Sequence, residues 1–187
     1  MKFKKLIVFV FAFFCLFAQV SALRYLKVVI VGNFSDGKTG IWSRMKNENF
    51  NAHTGMSDDF RYFQKGLGNT DVNMKVHDTP GMEKYYSEVV DFLQRANYVF
   101  IVHDLSTEYY DYSGNYITEI YDDASCEIAP DGKIVFVGSK SDQRNLSSSK
   151  YTQNFGFLRD FLESMDCEFI ITSSKDNVGK YIIMMME

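Results

Sequence analysis

The chain has 187 residues, 46% of them hydrophobic, with 24 acidic against 20 basic side chains and a formal charge of −4. That is one domain's length with ample material for a packed core, and its acidic balance gives no electrostatic footprint for a nucleic-acid partner. Two prolines, 12 glycines and three scattered cysteines (Cys15, Cys126, Cys167) argue against long disordered linkers, a disulfide framework or a cysteine-ligated metal.

The amino end stands apart. Lys2, Lys4 and Lys5 precede an apolar run from Leu6 to Ala18, and Val20-Ser21-Ala22 supplies small residues at a peptidase spacing. This is the three-part pattern of a secretory signal peptide. The run is short beside the roughly 20 residues of a membrane span. Residues 1–22 are therefore expected to be a signal peptide or an uncleaved hydrophobic anchor, and residues 23–187 one domain. The bland alternative is a start codon assigned upstream of a cytosolic protein.

From Leu26 onward, short β-branched runs alternate with longer amphipathic stretches. Leu26–Val31 reads as a buried strand, and Thr39–Lys46 as a helix. Phe60–Leu67 reads as an extra strand at an edge. Met74–His77 is a strand and Lys84–Ala96 a helix; Tyr98–Val102 is a strand and Tyr116–Ser125 a helix. Lys133–Val137 is a strand. Tyr151–Met165 carries Phe155, Leu158, Phe161, Leu162 and Met165 at helical spacing, which makes them core rather than a binding platform. Cys167–Ile171 is the final strand. This alternation predicts an α/β fold with a mostly parallel sheet covered on both faces. Ligands in such sheets bind beyond the carboxyl ends of the strands, so the residues after each run are where chemistry is expected.

After the first run comes Gly32-Asn33-Phe34-Ser35-Asp36-Gly37-Lys38-Thr39, a GxxxxGK[ST] phosphate loop. Its glycines let the backbone wrap phosphates, and successive N–H groups and the following helix N-terminus point at the anion. Lys38 would neutralise the β and γ phosphates, and the Thr39 hydroxyl would bind magnesium. The pattern arises by chance in roughly one chain in a hundred, and its position between strand and helix makes a plain glycine turn a poor account of it.

Asp78-Thr79-Pro80-Gly81 follows the Met74–His77 run. An acid there can hold magnesium, usually through water, and Gly81 can donate its N–H to the γ phosphate. Alone, this DxxG is an ordinary turn. Ser139-Lys140-Ser141-Asp142 follows Lys133–Val137. A carboxylate at Asp142 can accept from guanine N1 and N2, a donor pair that adenine lacks, while the Lys140 stem can lie along the base. Ser173-Ser174-Lys175 follows the last strand, where a backbone N–H could meet guanine O6. Each loop alone reads equally well as a polar turn; their order, each at a strand end, points to a guanine-nucleotide site.

These residues resemble the Ras-like small GTPases, most closely the Rab branch, over residues 25–187. Besides the phosphate loop, Val76-His77-Asp78-Thr79-Pro80-Gly81 is similar to the family's strand leading into DTAG. Val137-Gly138-Ser139-Lys140-Ser141-Asp142 is similar to its VGNKxD, and Thr172-Ser173-Ser174-Lys175-Asp176-Asn177-Val178-Gly179 to its ETSAKxNVG. The resemblance implies six strands, one antiparallel, with five helices and two switch loops. It implies GTP or GDP held by Gly32, Ser35, Asp36, Gly37, Lys38, Thr39, Gly40, Phe50, Gly81, Ser139, Lys140, Asp142, Ser173, Ser174 and Lys175. It implies Mg2+ on Thr39, Asp78 and either Ser57 or Thr54, with Lys38 and Gly81 acting on the γ phosphate. Effector, exchange-factor and GAP-like partners would read residues 50–60 and 81–87.

Departures from the pattern bear on activity. Phe34 stands where the family has a small residue, Met82 where it has the water-orienting glutamine, and Ser139 where it has asparagine. The sequence stops at Glu187 without the cysteine-bearing tail by which the family is prenylated. The leading expectation is a guanine-nucleotide switch with weak hydrolysis. The alternatives are a degenerate GTPase-like binding module and an adenine-nucleotide enzyme such as a small kinase, against which Asp142 argues. The leader points to the lumen and the nucleotide site to the cytosol. Two sequons are present, Asn33-Phe34-Ser35 and Asn145-Leu146-Ser147; the first lies inside the phosphate loop and favours a cytosolic domain, because a glycan on Asn33 would crowd the phosphates.

Overall fold

A computed structural model of the chain describes residues 24–49, 59–67, 72–106, 116–143, 160, 162–165 and 167–178. Six strands form one sheet: β1 (Arg24–Gly32), β2 (Arg61–Gly66), β3 (Val72–Asp78), β4 (Tyr98–Asp104), β5 (Lys133–Ser139) and β6 (Glu168–Ile171). Three α-helices are described, α1 (Lys38–Met45), α2 (Tyr86–Leu93) and α3 (Tyr116–Glu127), with a 3-10 turn over Glu83–Tyr85 before α2. The strand order is β2-β3-β1-β4-β5-β6. Only β2 runs antiparallel, against β3, as expected for an added edge strand.

The side-chain period of two in the central strands builds two cores. Val28 and Ile30 of β1, Phe100 and Val102 of β4, and Val135 and Val137 of β5 face α1, where Ile41, Trp42 and Met45 meet them. Their alternates Val29, Val31, Val99, Ile101 and Phe136 face Val89 and Leu93 of α2 and Ile120 and Ala124 of α3. Each such fully buried aliphatic or aromatic side chain contributes about 1.5–3 kcal/mol from lost water contact. Because β1, β4 and β5 are buried on both faces, they are apolar in consecutive positions, which is why their sequence runs do not alternate.

Strands extend past their apolar runs wherever ladder pairing continues. β4 runs on through His103 and Asp104, paired with Gly138 and Ser139 of β5. The expected helix over 84–96 is shorter. It opens as a 3-10 turn and ends at Leu93, where Gln94 turns extended and Arg95 takes a positive φ of 55°. Asn97 then locks the chain to β1: its side-chain oxygen accepts the Lys27 amide at 2.8 Å, and its own amide donates to the Lys27 carbonyl at 2.8 Å. Residues 160 and 162–164 are helical; the remainder of the 151–165 helix, the final helix and the leader lie outside the described residues. Among the described residues no helix is long and apolar enough to cross a membrane.

β1 sits where the sheet order reverses, with β3 on one side and β4 on the other. The crevice beyond its carboxyl end is the place where such folds take ligands.

Candidate functional site

The loop leaving β1 is shaped by backbone demands. Gly32 has φ 148°, and a Cβ there would lie 2.3 Å from the Val102 carbonyl oxygen of β4. Gly37, at φ 89°, turns the chain into α1. Within the loop, the Asp36 carboxylate accepts the Asn33 amide at 2.8 Å, closing a short ring across it. Ser35 is exposed at φ 64°, and Phe34 is 47% exposed at the tip. Lys38 is 6% exposed, and its Nζ donates to the Gly32 carbonyl at 3.0 Å and the Asn33 carbonyl at 2.6 Å. Gly40 lies in the first turn of α1.

The end of β3 closes on this loop. The Thr39 hydroxyl donates to Asp78 Oδ2 at 2.8 Å. Thr79 returns to β1 through its hydroxyl, 2.8 Å from the Ile30 carbonyl. Gly81 lies against the loop so tightly that a Cβ would come 2.4 Å from Lys38 Nζ and 2.6 Å from the Asn33 backbone. No side chain but hydrogen fits there.

The loops after β5 and β6 come to the same end of the sheet. The Ser139 hydroxyl donates to the Asp36 carbonyl, so the loop after β5 is hydrogen-bonded to the loop after β1. Lys140, at φ 53°, pairs with Asp104 at 2.7 Å. Asp142 Oδ1 accepts the Ser173 hydroxyl at 2.7 Å, and Lys175 Nζ stands 3.9 Å from its Oδ2. The Ser141 amide donates to the Thr172 carbonyl at 3.0 Å. Ser174 and Lys175 are tied back to α1, whose Arg44 Nε donates to the Ser174 carbonyl at 2.6 Å and a terminal nitrogen to the Lys175 carbonyl at 3.3 Å.

Burial sets the charges of the site. It pushes the Asp36 carboxyl up to about 7, against the pull of the Lys38 charge. It raises Asp78 above the usual carboxylate range, partly offset by the Thr39 hydrogen bond and then the Lys38 charge, and lowers Lys38, partly offset by the Asp36 and then the Asp78 charge. Asp78 is fully buried, and its Oδ1 has no hydrogen-bond partner. A buried acceptor left so costs about 1–3 kcal/mol, and a hydrated divalent cation beside Thr39 and Asp78 would satisfy it, so these residues fit Mg2+. Asp142 Oδ2 is likewise buried without a hydrogen bond. The only charge the described residues bring near it is Lys175 Nζ at 3.9 Å.

Of the sequence-derived candidates, the structure brings Gly32, Ser35, Asp36, Gly37, Lys38, Thr39, Gly40, Asp78, Gly81, Ser139, Lys140, Asp142, Ser173, Ser174 and Lys175 to the carboxyl end of the sheet. Phe50, Thr54 and Ser57 lie outside the described residues. Two contributors escaped the sequence reading. Asp104 could have been found by extending the strand-end rule past the apolar run of β4. Arg44 carries no local signal for this role, because the Ser174 and Lys175 carbonyls that it holds lie 130 and 131 residues away.

The family profile that matches this chain is that of the Ras family, over residues 27–186, and the chain belongs to that family. It is a divergent GTP-binding switch protein of the Rab branch, whose general chemistry is the hydrolysis of GTP. It is 26% identical over 157 residues to Ras-related protein RabH of Dictyostelium discoideum, spanning 82% of this chain and 75% of that one. It is 29% identical to Ras-related protein Rab-4 of the same organism, over 76% of this chain and 71% of the relative. Ras-related protein Rab-25 of Bos taurus is 29% identical over 82% of this chain and 70% of its own length.

Proposed function

We propose that this chain binds GTP and GDP together with magnesium, hydrolyses GTP slowly, and serves as a switch in membrane trafficking. The observation that carries the reading is the hydrogen-bonded joining of separate strand-end loops into one site: Thr39 to Asp78, Ser139 to the Asp36 carbonyl, and Asp142 to Ser173. In this reading the loop amides and Lys38 hold the phosphates. Asp142 and the amides of 173–175 hold guanine. Thr39 and Asp78, with Ser57 or Thr54, would hold magnesium, which when bound supplies charge neutralisation at the phosphates.

Slow turnover follows from what surrounds the γ-phosphate position. Met82 is apolar and cannot orient water, and the exposed Phe34 ring crowds the space an arginine finger would need. What is left for catalysis is positioning of the phosphates by Lys38 and the Gly81 amide, together with magnesium when bound. Effectors, exchange factors and GAP-like proteins are proposed to read residues 50–60 and 81–87. The amino terminus is proposed to give membrane association, with the nucleotide domain, residues 23–187, on the cytosolic side.

The test is the nucleotide released when the purified protein is denatured. GDP or GTP is expected. ATP or ADP would point to an adenine-nucleotide enzyme. No nucleotide, together with no uptake of added GDP, would leave a binding module that has lost its ligand.

A further inference from the structure

Among the described residues, the partners of Arg44 are all main-chain carbonyls. It lies half-buried in the last turn of α1, the helix whose first residue, Lys38, closes the phosphate loop. Its Nε donates to the Ser174 carbonyl at 2.6 Å and one terminal nitrogen to the Lys175 carbonyl at 3.3 Å. The other terminal nitrogen reaches the Glu48 carbonyl, more loosely, at 3.5 Å. A carbonyl needs no full charge to satisfy it. What a planar fork of donors adds over a point charge is direction: it can fix two neighbouring carbonyls at once.

That direction matters because peptide units are planar and trans, so the N–H of each unit points away from its own C=O. With the Ser174 carbonyl on Arg44, the Lys175 N–H faces the opposite side. With the Lys175 carbonyl on Arg44, the Asp176 N–H faces that side too, and there it donates to the Ser173 hydroxyl oxygen at 3.0 Å. The same hydroxyl donates to Asp142 at 2.7 Å. The Lys175 amide is therefore turned toward the side on which Asp142 stands. Paired backbone bonds between Ser173 and Val178, at 3.1 and 3.0 Å, close the two ends of this turn; Arg44 holds the peptides at its tip.

We infer that Arg44 is a specificity-determining positioning residue, which presents the Lys175 amide to the O6 of a guanine whose N1 and N2 edge Asp142 takes. This role rests on the guanine-nucleotide reading above. Arg44 touches neither base nor phosphate in it. It acts through two carbonyls, from a helix that starts at the phosphate loop, and so sets the grip on the base at a fixed distance from the phosphates. Removing it leaves the Ser173 hydroxyl on Asp142, so the loss falls on O6.

The test compares three nucleotides on the full chain: GDP; 6-thio-GDP, in which sulfur, a weak acceptor, replaces O6; and IDP, which keeps O6 but lacks the 2-amino group. Arg44→Gln is expected to weaken GDP and IDP about tenfold each and 6-thio-GDP about twofold at most. The preference for GDP over 6-thio-GDP then shrinks, while that for GDP over IDP holds. Arg44→Lys keeps the charge without the fork and should behave like Arg44→Gln. Equal weakening of all three nucleotides would make Arg44 a structural support only and overturn the inference, as would unchanged affinities or a lysine variant that matches wild type. Should the variants fail to fold, wild type still decides. In 15N-labelled protein, exchanging GDP for 6-thio-GDP should shift the Lys175 amide and the Arg44 side-chain N–H together; a shift at neither, or at the amide alone, would refute the coupling. Wild type that takes up no guanine nucleotide would bring down the nucleotide reading and this role with it, whereas wild type that binds GDP while the variant ratios stay put would bring down this role alone.

Discussion

Replacing Asp36 with asparagine keeps the side chain's shape and its acceptor for the Asn33 amide but deletes a charge that burial disfavours. The native carboxyl is 6% exposed and titrates at about 7 instead of 3.8. Below pH about 4 it is protonated in both native and unfolded chains, so wild type and Asp36→Asn should be similar in stability. Between about 4 and 7 the native state still holds a proton that the unfolded chain has released, and wild-type stability falls relative to the variant as pH rises. Above about 7 both states are ionised and the gap is constant, at most about 4 kcal/mol in the variant's favour. His77 and His103, both lowered by burial to about 4, impose the opposite trend. They bind protons first in the unfolded chain, so they add stability as pH rises from about 4 to about 6.5. Their contribution is common to both proteins and cancels in the difference. The assay is urea unfolding of nucleotide-free, chelator-treated protein across pH 5 to 8, because bound nucleotide would mask the effect. A gap that is the same at both ends of that range, or a variant less stable at pH 8, would refute the burial argument.

Lys38→Ala should abolish detectable GDP binding while the circular dichroism spectrum is kept, because the loop loses its one fixed cation; unchanged GDP affinity would sink the site assignment. Asp142→Asn swaps an acceptor for a donor at the base edge, and competition assays should show preference moving from guanine towards xanthine nucleotides. Met82→Gln should raise single-turnover phosphate release only partly, since Phe34 remains; wild-type release as fast as in a GAP-stimulated relative would mean that another residue positions water. Full-length protein expressed in cells should show no endoglycosidase shift and carbonate-resistant membrane association. A shift lost in the Ser35→Ala, Ser147→Ala double variant would put the domain in the lumen.

The strand cores were legible because β1, β4 and β5 are buried on both faces and so write long apolar runs into the sequence. Strand ends were not. His103, Asp104 and Ser139 belong to strands through backbone pairing, which side-chain polarity does not report. The helix expected over 84–96 was too long, because the apolar pattern through Ala96 says nothing of the backbone turn at Gln94 and Arg95. At the site, the phosphate loop was readable because its function constrains backbone shape, and glycine is the residue that such shapes demand. The Lys140–Asp104 pair and the Arg44 clamp were not readable. They join residues that only the packed sheet makes neighbours, and no local spacing encodes them.

The two ends of the site rest on parts of unequal stiffness. The phosphate loop hangs from β1, a fully paired central strand. The 173–175 loop hangs from β6, a four-residue edge strand paired on one side among the described residues, with no buried residue in it. Local opening starts where apolar contacts are fewest, so β6 is the part that frays first, with Arg44 as its tether to the rigid half. If the 173–175 amides hold guanine as proposed, fraying there would release the base while the phosphates stay held. Nucleotide would then leave base-first, and a protein that pries at β6 would speed exchange without touching the phosphate loop.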